Sequence, residues 1–167
     1  QSTSKPVKLG LLSDMSGPYR DVGGPGNRLA VELAVQDFGG SVLDRPIEVM
    51  QADDQNKPDV SSSLAREWID AQGVDVLMDG AASSAGLAVQ QVCREKKRIY
   101  LITGPATSEM TGKQCSPYGI HFNYDTEVEG LRALDRYTIQ FKLEKPQPRF
   151  IYHLTDSSVL GAVAREV

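Results

Sequence analysis

Residues 7–19, VKLGLLSDMSGPY, join a short apolar run to a loop of small and polar residues. The run from Val7 to Leu12 is compact and stops abruptly, which is typical of a strand buried on both faces of a sheet. Glycines follow at Gly23 and Gly24, and a helical pattern begins soon after them. A buried strand, a polar loop and a helix in this order indicate the first unit of a parallel α/β sheet.

Strand-like and helix-like segments continue to alternate as far as Ala106. Leu29, Leu33 and Phe38 recur near helical spacing and are expected to form the apolar face of the first long helix. The predicted helices are 28–38, 58–72 and 85–93, and the further predicted strands are 47–52, 74–78, 99–103 and 120–124. The alternation predicts an α/β fold, a flavodoxin-like parallel sheet with helices on both faces.

The loops after the predicted strands are rich in Gly, Ser, Thr, Asp and Asn. They are 13–26, 53–57, 79–85 and 104–111. Ligands of doubly wound sheets bind at the carboxyl ends of the strands, so these loops predict the binding site. The hydroxyls of Ser83, Ser84 and Thr107, with the N–H groups of a helix N-terminus, suit a carboxylate. Tyr19 could stack on an apolar or aromatic body of the solute. Two alternatives remain open: the serines serve only to cap the helix, and Tyr19 is only an exposed surface aromatic.

Composition and charge limit the class of partner. The chain has 167 residues, 40% of them apolar, and a net charge of −4, so it is long enough for a domain with a real core, and no nucleic-acid partner is expected. No apolar stretch approaches the ~20 residues of a membrane helix. Residues 1–6 are polar and lack the cationic and apolar regions of a signal peptide.

The motifs of phosphate binding and covalent catalysis are missing. The glycines of Gly23-Gly24-Pro25-Gly26 are out of register for a dinucleotide loop, and the serines after Gly80 lack the second glycine of a nucleophile elbow. Cys93 and Cys115 lack the spacing of metal ligands, while a disulfide between them stays open. We therefore expect no catalytic residue, no cofactor and no metal.

Asp53 and Asp54 follow the second long strand, where a receiver-type module would place a magnesium site and a phosphoryl acceptor. Such a site needs a lysine at a later strand end, and none follows the fourth strand. The alternative is structural: Asp53 and Asn56 hydrogen-bond turns and cap the helix at Pro58.

Several stretches resemble one family in the same order along the chain. They are VKLGLLSDMSGPY, GNRLAVELAVQDFGG, VLDRPIEVMQADDQNKPDV, DGAASSA, ITGPATSEMTGKQCSP and HFNYDT. Residues 7–126 thus resemble the N-terminal lobe of type I periplasmic solute-binding proteins, closest to the ABC-importer receptors for branched-chain amino acids and aromatic compounds.

The resemblance implies a non-enzymatic, periplasmic protein of two lobes that closes around a solute and delivers it to a membrane permease. Its solute would be an amino acid or a small aromatic carboxylate. Carried over by position, the ligand-binding residues are Ser16, Gly17, Tyr19, Ala82, Ser83, Ser84, Pro105, Ala106 and Thr107. The serine loop often holds a solute carboxylate in this family.

The tail, 127–167, resembles a segment of the oligopeptide-type (family 5) solute-binding proteins through GLRALDRYTIQFKLEKPQPRFIYHL and AVAREV. Alternating residues 137–143 predict a strand, and 150–154 and 159–167 predict a short apolar segment and a helix. This suggests two domains, 1–126 and 127–167, joined as a chimera. A single lobe is expected to bind weakly or not at all, and its exposed cleft face to promote self-association.

Overall fold

The computed structural model describes residues 5–80, 82–122, 128–133 and 139–143. The chain forms two compact units, Gln1–Asp125 and Thr126–Val167. The strands are β1 Val7–Ser13, β2 Ser41–Val42, β3 Arg45–Asp53, β4 Val76–Asp79, β5 Ile99–Ile102, β6 Gly119–His121, β7 Val128–Ala133 and β8 Ile139–Leu143. The α-helices are α1 Arg20–Gly23, α2 Pro25–Phe38, α3 Pro58–Glu67 and α4 Ser83–Lys96.

The first unit is built on a six-stranded sheet of order β2-β3-β1-β4-β5-β6. All neighbouring strands are parallel except the edge strand β2, which is antiparallel to β3. Without the short edge strand β2, the strand order is the flavodoxin-like one, in which β1 lies inside the sheet between β3 and β4. The predicted fold class is confirmed.

The main core lies on the face of the sheet that α3 and α4 cover. Side chains from β1, β4 and β5 meet there with the π-helical turn Trp68–Gln72, which continues α3 and ends at Gly73. The core comprises Leu12, Ala65, Trp68, Ile69, Val74, Leu77, Val89, Val92, Cys93, Tyr100, Ile102 and Met110. The alternation of buried and less buried residues along β4 and β5 follows from the two-residue period of a strand.

The opposite face carries α2 and is less completely covered. None of the residues of α2 is buried, and the expected apolar face is wrong, since Leu29 is 58% and Leu33 50% exposed. The helix instead turns small side chains such as Val31 and Ala34 towards the sheet. An open apolar groove remains there, lined by Leu9, Val31, Ala34, Val35, Phe38, Ile47, Val76, Met78 and Leu101.

The two cysteines are free thiols. Cys93 turns into the core from α4, where burial raises the pKa of its thiol to about 12, while Cys115 is exposed. The disulfide that the sequence left open is therefore not formed in this structure. Among the described residues, no helix is both long and apolar enough to cross a membrane.

The second unit contains the antiparallel pair β7 and β8. The strand predicted at 137–143 is confirmed over Ile139–Leu143. Strand β7 has no counterpart among the predictions. The segments predicted at 150–154 and 159–167 lie outside the described residues.

Candidate functional site

The register of the sheet brings the ends of the central strands to one edge. Ser13 is paired with Asp53 and Leu12 with Asp79, so β1, β3 and β4 end at the same level. The loops after β1, β3, β4 and β5 therefore share the carboxyl edge, where ligands of such sheets bind. The structure thus brings the predicted loops together at the predicted place.

The loop after β1 is folded around one carboxylate. Asp14 is fully buried, and its Oδ1 accepts a 2.6 Å hydrogen bond from the Gly17 N–H while Oδ2 accepts one of 3.0 Å from the Tyr19 N–H. A Cβ at residue 17 would lie 2.6 Å from Asp14 Oδ2, which explains the glycine. The N–H of Gly17 therefore already donates to Asp14 and is not available to a solute.

Asp53 supports the same loop from β3. Its Oδ1 accepts hydrogen bonds from the N–H groups of Met15 at 2.9 Å and Gln55 at 2.8 Å, and it also bonds the side chain of Ser16. Burial would raise the pKa of Asp53, but these hydrogen bonds and the charge of Lys57 hold it below its usual value. Ser16 remains exposed, and its oxygen can still accept a hydrogen bond.

Asp54 organises the turn into α3. It is 1% exposed, and its carboxylate accepts a hydrogen bond from the Asn56 N–H at 2.9 Å. The N-cap of α3 is Lys57, and Asn56 Oδ1 is buried without a hydrogen-bond partner among the described residues. Asp53 thus hydrogen-bonds the backbone of a turn, as expected. The capping role expected of Asn56 is wrong, because Asp54 accepts the hydrogen bond in that turn and no side chain caps α3.

The carboxylate oxygens of Asp14, Asp53 and Asp54 lie within 4.8 Å of one another. Each carboxylate already accepts hydrogen bonds from the turn or loop beside it. These roles favour the structural interpretation of Asp53 and Asp54 over the receiver-type alternative.

The surroundings of Asp54 indicate that its carboxyl group holds a proton more readily than usual. Ser61 Oγ lies 3.0 Å from Asp54 Oδ2 and 2.9 Å from the Lys57 carbonyl oxygen, but one hydroxyl proton can serve only one acceptor. A protonated Asp54 donates to Ser61 Oγ and frees the Ser61 proton for Lys57. Burial, reinforced by the charges of Asp14 and Asp53, raises the pKa of Asp54 despite opposing hydrogen bonds from Asn56 and Ser61.

We expect Asp54→Asn to maintain or raise the free energy of unfolding at neutral pH, because the amide reproduces both hydrogen bonds of the protonated acid. A raised folded pKa contributes stability below the unfolded pKa, and this contribution is lost as pH rises through the folded pKa. The advantage of the variant over the wild type should therefore grow with pH. Urea unfolding between about pH 4 and pH 7 measures this, and a loss above about 1 kcal/mol at neutral pH would contradict it.

The loop after β4 leads directly into α4. Ala82 is the N-cap and has no side-chain capping bond, while Ser83 and Ser84 are the first residues of this 14-residue helix. Ser83 is half-buried and Ser84 exposed. The serines therefore do not cap the helix, and they lie in its first turn, where backbone N–H groups have no partner within a helix.

The loop after β5 packs against the start of α4. A Cβ at Gly86 would lie 2.5 Å from Pro105 Cγ, so the glycine permits this close approach. The Pro105 carbonyl accepts a 2.7 Å hydrogen bond from His121 Nε2, and Thr107 Oγ1 accepts one of 3.3 Å from the Glu109 N–H. Pro105 is buried, whereas Ala106 and Thr107 are half-buried.

The structure separates the predicted residues into two groups. Gly17, Ala82 and Pro105 shape the loops, whereas side chains accessible at the edge belong to Ser16, Tyr19, Ser83, Ser84, Ala106 and Thr107. Sequence reasoning missed Asp14 and His121, which hold two of the loops. Their positions at or next to strand ends were the available signal.

Comparisons with known proteins agree with this architecture. A family profile described as "Periplasmic binding protein" matches residues 6–166. No curated protein sequence matches the chain. A periplasmic binding protein from Burkholderia mallei is 46% identical, with a TM-score of 0.71 over 74% of this chain and 33% of its own.

Two further solved structures are similar over comparable shares of the chain. A branched-chain amino acid ABC transporter periplasmic ligand-binding protein from Burkholderia xenovorans is 43% identical over 71% of this chain and 32% of its own, with a TM-score of 0.69. A solute-binding protein of an ABC transporter from Rhodopseudomonas palustris, in complex with 3,4-dihydroxybenzoic acid, is 27% identical over 73% and 33%, with a TM-score of 0.65. The chain spans about a third of the length of these proteins.

Proposed function

Since this chain belongs to the periplasmic binding protein family, we propose that it forms one lobe of a periplasmic, non-catalytic solute receptor for an ABC importer. The proposed solute is an amino acid or a small aromatic carboxylate, and the proposed partner is the membrane permease. The observation that supports the proposal is the start of α4, where Ser83 and Ser84 are not used for capping and follow β4 at the carboxyl edge of the sheet. The relatives described above support this solute class by their ligands and names.

The charges along the carboxyl edge indicate which way the solute is oriented. The loop after β1 lies over the acidic cluster of Asp14, Asp53 and Asp54, which disfavours a further anion there. The start of α4 offers hydroxyls and the positive end of a helix dipole, which favours an anion. We therefore place the carboxylate of the solute near Ser83 and Ser84, and its apolar body towards Tyr19.

Binding by this chain alone is expected to be weak. Sites of this kind bury about 70–90% of a ligand, and a single lobe leaves the opposite side of the solute in water. The cost of immobilising the solute is unchanged while the contacts are roughly halved. Self-association through the exposed edge would restore part of that burial and remains a prediction.

Isothermal titration calorimetry of this chain tests the proposal. The panel is leucine, valine, benzoate, 4-hydroxybenzoate, 3,4-dihydroxybenzoate and a cinnamate-type acid, with 4-hydroxybenzamide as the uncharged control. We expect saturable heat in roughly the millimolar range for at least one carboxylate, and much weaker heat for the amide. A folded sample that gives no heat with any member would contradict binding by the single lobe.

The alternative of a chimera without a function of its own rests on the tail's second resemblance. The family profile continues to residue 166, through the proposed junction near Thr126, and this continuity favours one family over the whole chain. Intact mass and peptide mapping across residues 120–135 test whether the junction exists in the expressed protein. A peptide that spans it unbroken at the mass given by the sequence would exclude misassembly of two chains.

A further inference from the structure

The loop after β1 takes its shape from a side chain that lies beneath it. Both oxygens of the Asp14 carboxylate accept N–H groups from the loop, at Gly17 and Tyr19, and the side chain is fully buried. Hydrogen bonds from N–H groups to a charged carboxylate are stronger than those between neutral groups. The backbone on either side of Pro18 is thereby fixed to a point inside the protein.

Two neighbouring side chains hold the rest of the loop. Asp53 accepts the N–H of Met15 and bonds the Ser16 side chain. Gln51 Nε2 donates to Ser13 Oγ at 3.2 Å and to the Gly24 carbonyl at 3.1 Å, so it joins the two ends of the loop. Within residues 16–19, Asp53 bonds the Ser16 side chain, while the N–H groups of Gly17 and Tyr19 are bound by Asp14.

We propose that Asp14 is a positioning residue for solute binding, which holds Ser16 and Tyr19 in their binding conformation before a solute arrives. This inference rests on the proposed function. A loop that is ordered in advance need not be ordered by the solute, so less binding free energy is lost on association. Asp14 itself stays beneath the loop and is not a solute contact.

The neighbouring buried acid provides a matched comparison. Asp54 is buried to the same degree and belongs to the same carboxylate cluster. Its hydrogen bonds, however, come from Asn56 and Ser61, on the side of α3, and not from the loop after β1. Both substitutions replace one carboxyl oxygen by an NH2 group, but only Asp14→Asn turns that group towards a loop N–H.

The experiment compares Asp14→Asn with Asp54→Asn in the full chain. Amide hydrogen exchange, followed by NMR, reports the loop at Gly17 and Tyr19, and calorimetry with 4-hydroxybenzoate and 3,4-dihydroxybenzoate reports binding. We expect Asp14→Asn to accelerate exchange at Gly17 and Tyr19 about tenfold and to weaken binding about tenfold, while Asp54→Asn changes neither by more than about twofold.

Each outcome decides the inference. Unchanged exchange in Asp14→Asn, faster exchange with unchanged affinity, or an equal loss of affinity in both variants would overturn it. If the wild type binds neither acid, the proposed function fails for this chain, while exchange at Tyr19 still shows whether Asp14 holds the loop. If Asp14→Asn does not fold, Gly17→Ala breaks the same contact without removing a charge, because its Cβ would lie 2.6 Å from Asp14 Oδ2.

Discussion

Leu12→Ala should lower the free energy of unfolding by about 2–5 kcal/mol, whereas Leu9→Ala, the same change on the same strand, should cost about 1 kcal/mol. Leu12 is fully buried in the core under α3 and α4. Its truncation removes apolar contacts and leaves a cavity that the tightly packed neighbours cannot fill. Leu9 points to the opposite face, where it is half-buried and lines the open groove beside α2.

Urea unfolding of the two variants at several protein concentrations measures this difference. Equal m-values would show that both unfold from an equally compact state, so that the midpoints report stability directly. Equal losses in the two variants would mean that Leu9 is as well covered as Leu12. A stability of Leu9→Ala that depends on concentration would then identify association of two copies as the cover.

The central strands could be predicted because they are short apolar runs, and the helices because their apolar residues recur near helical spacing. Where these signals were weak, prediction failed. The hairpin between β2 and β3 turns at Leu43 and Asp44, both with positive φ, and the sequence offers no glycine to mark such a turn. The tail strand β7 was missed because residues 128–133 neither alternate nor form an apolar run.

The orientation of α2 shows the limit of periodicity. Leu29, Leu33 and Phe38 recur near helical spacing, yet all three are largely exposed, and Val31 and Ala34 line the groove over the sheet. The helix leaves an open groove over the sheet, which Val31 and Ala34 line, so tertiary packing overrides the hydrophobic pattern here. The sequence contains the pattern but not the distance between helix and sheet.

The location of the candidate site follows from topology, whereas the roles within it depend on hydrogen bonds. The strand-end rule identified the loops after β1, β3, β4 and β5 at the carboxyl edge. It could not show that the Gly17 N–H donates a hydrogen bond to Asp14, or that the Pro105 carbonyl accepts one from His121. These partners are distant in sequence or hidden inside a turn, and only coordinates reveal which donors and acceptors remain for a solute.

The double substitution Ser83→Ala/Ser84→Ala should weaken binding of a carboxylate solute about tenfold and leave the free energy of unfolding within about 0.5 kcal/mol of the wild type. Each hydroxyl that bonds a charged carboxylate contributes about 1.5–3 kcal/mol, less where water replaces it. Neither serine caps α4, so the helix does not depend on them. Calorimetry with 4-hydroxybenzoate and urea unfolding give the two quantities.

Ser62→Ala/Ser63→Ala is the matched control. This pair lies in α3 and is half-buried and exposed in the same order as Ser83 and Ser84, but it is removed from the carboxyl edge. It should leave affinity unchanged. The uncharged 4-hydroxybenzamide separates two explanations for any loss at α4. If the serines hold the carboxylate, the variant loses most of its preference for the acid over the amide, whereas equal losses for both ligands would mean that the serines contact the ring instead.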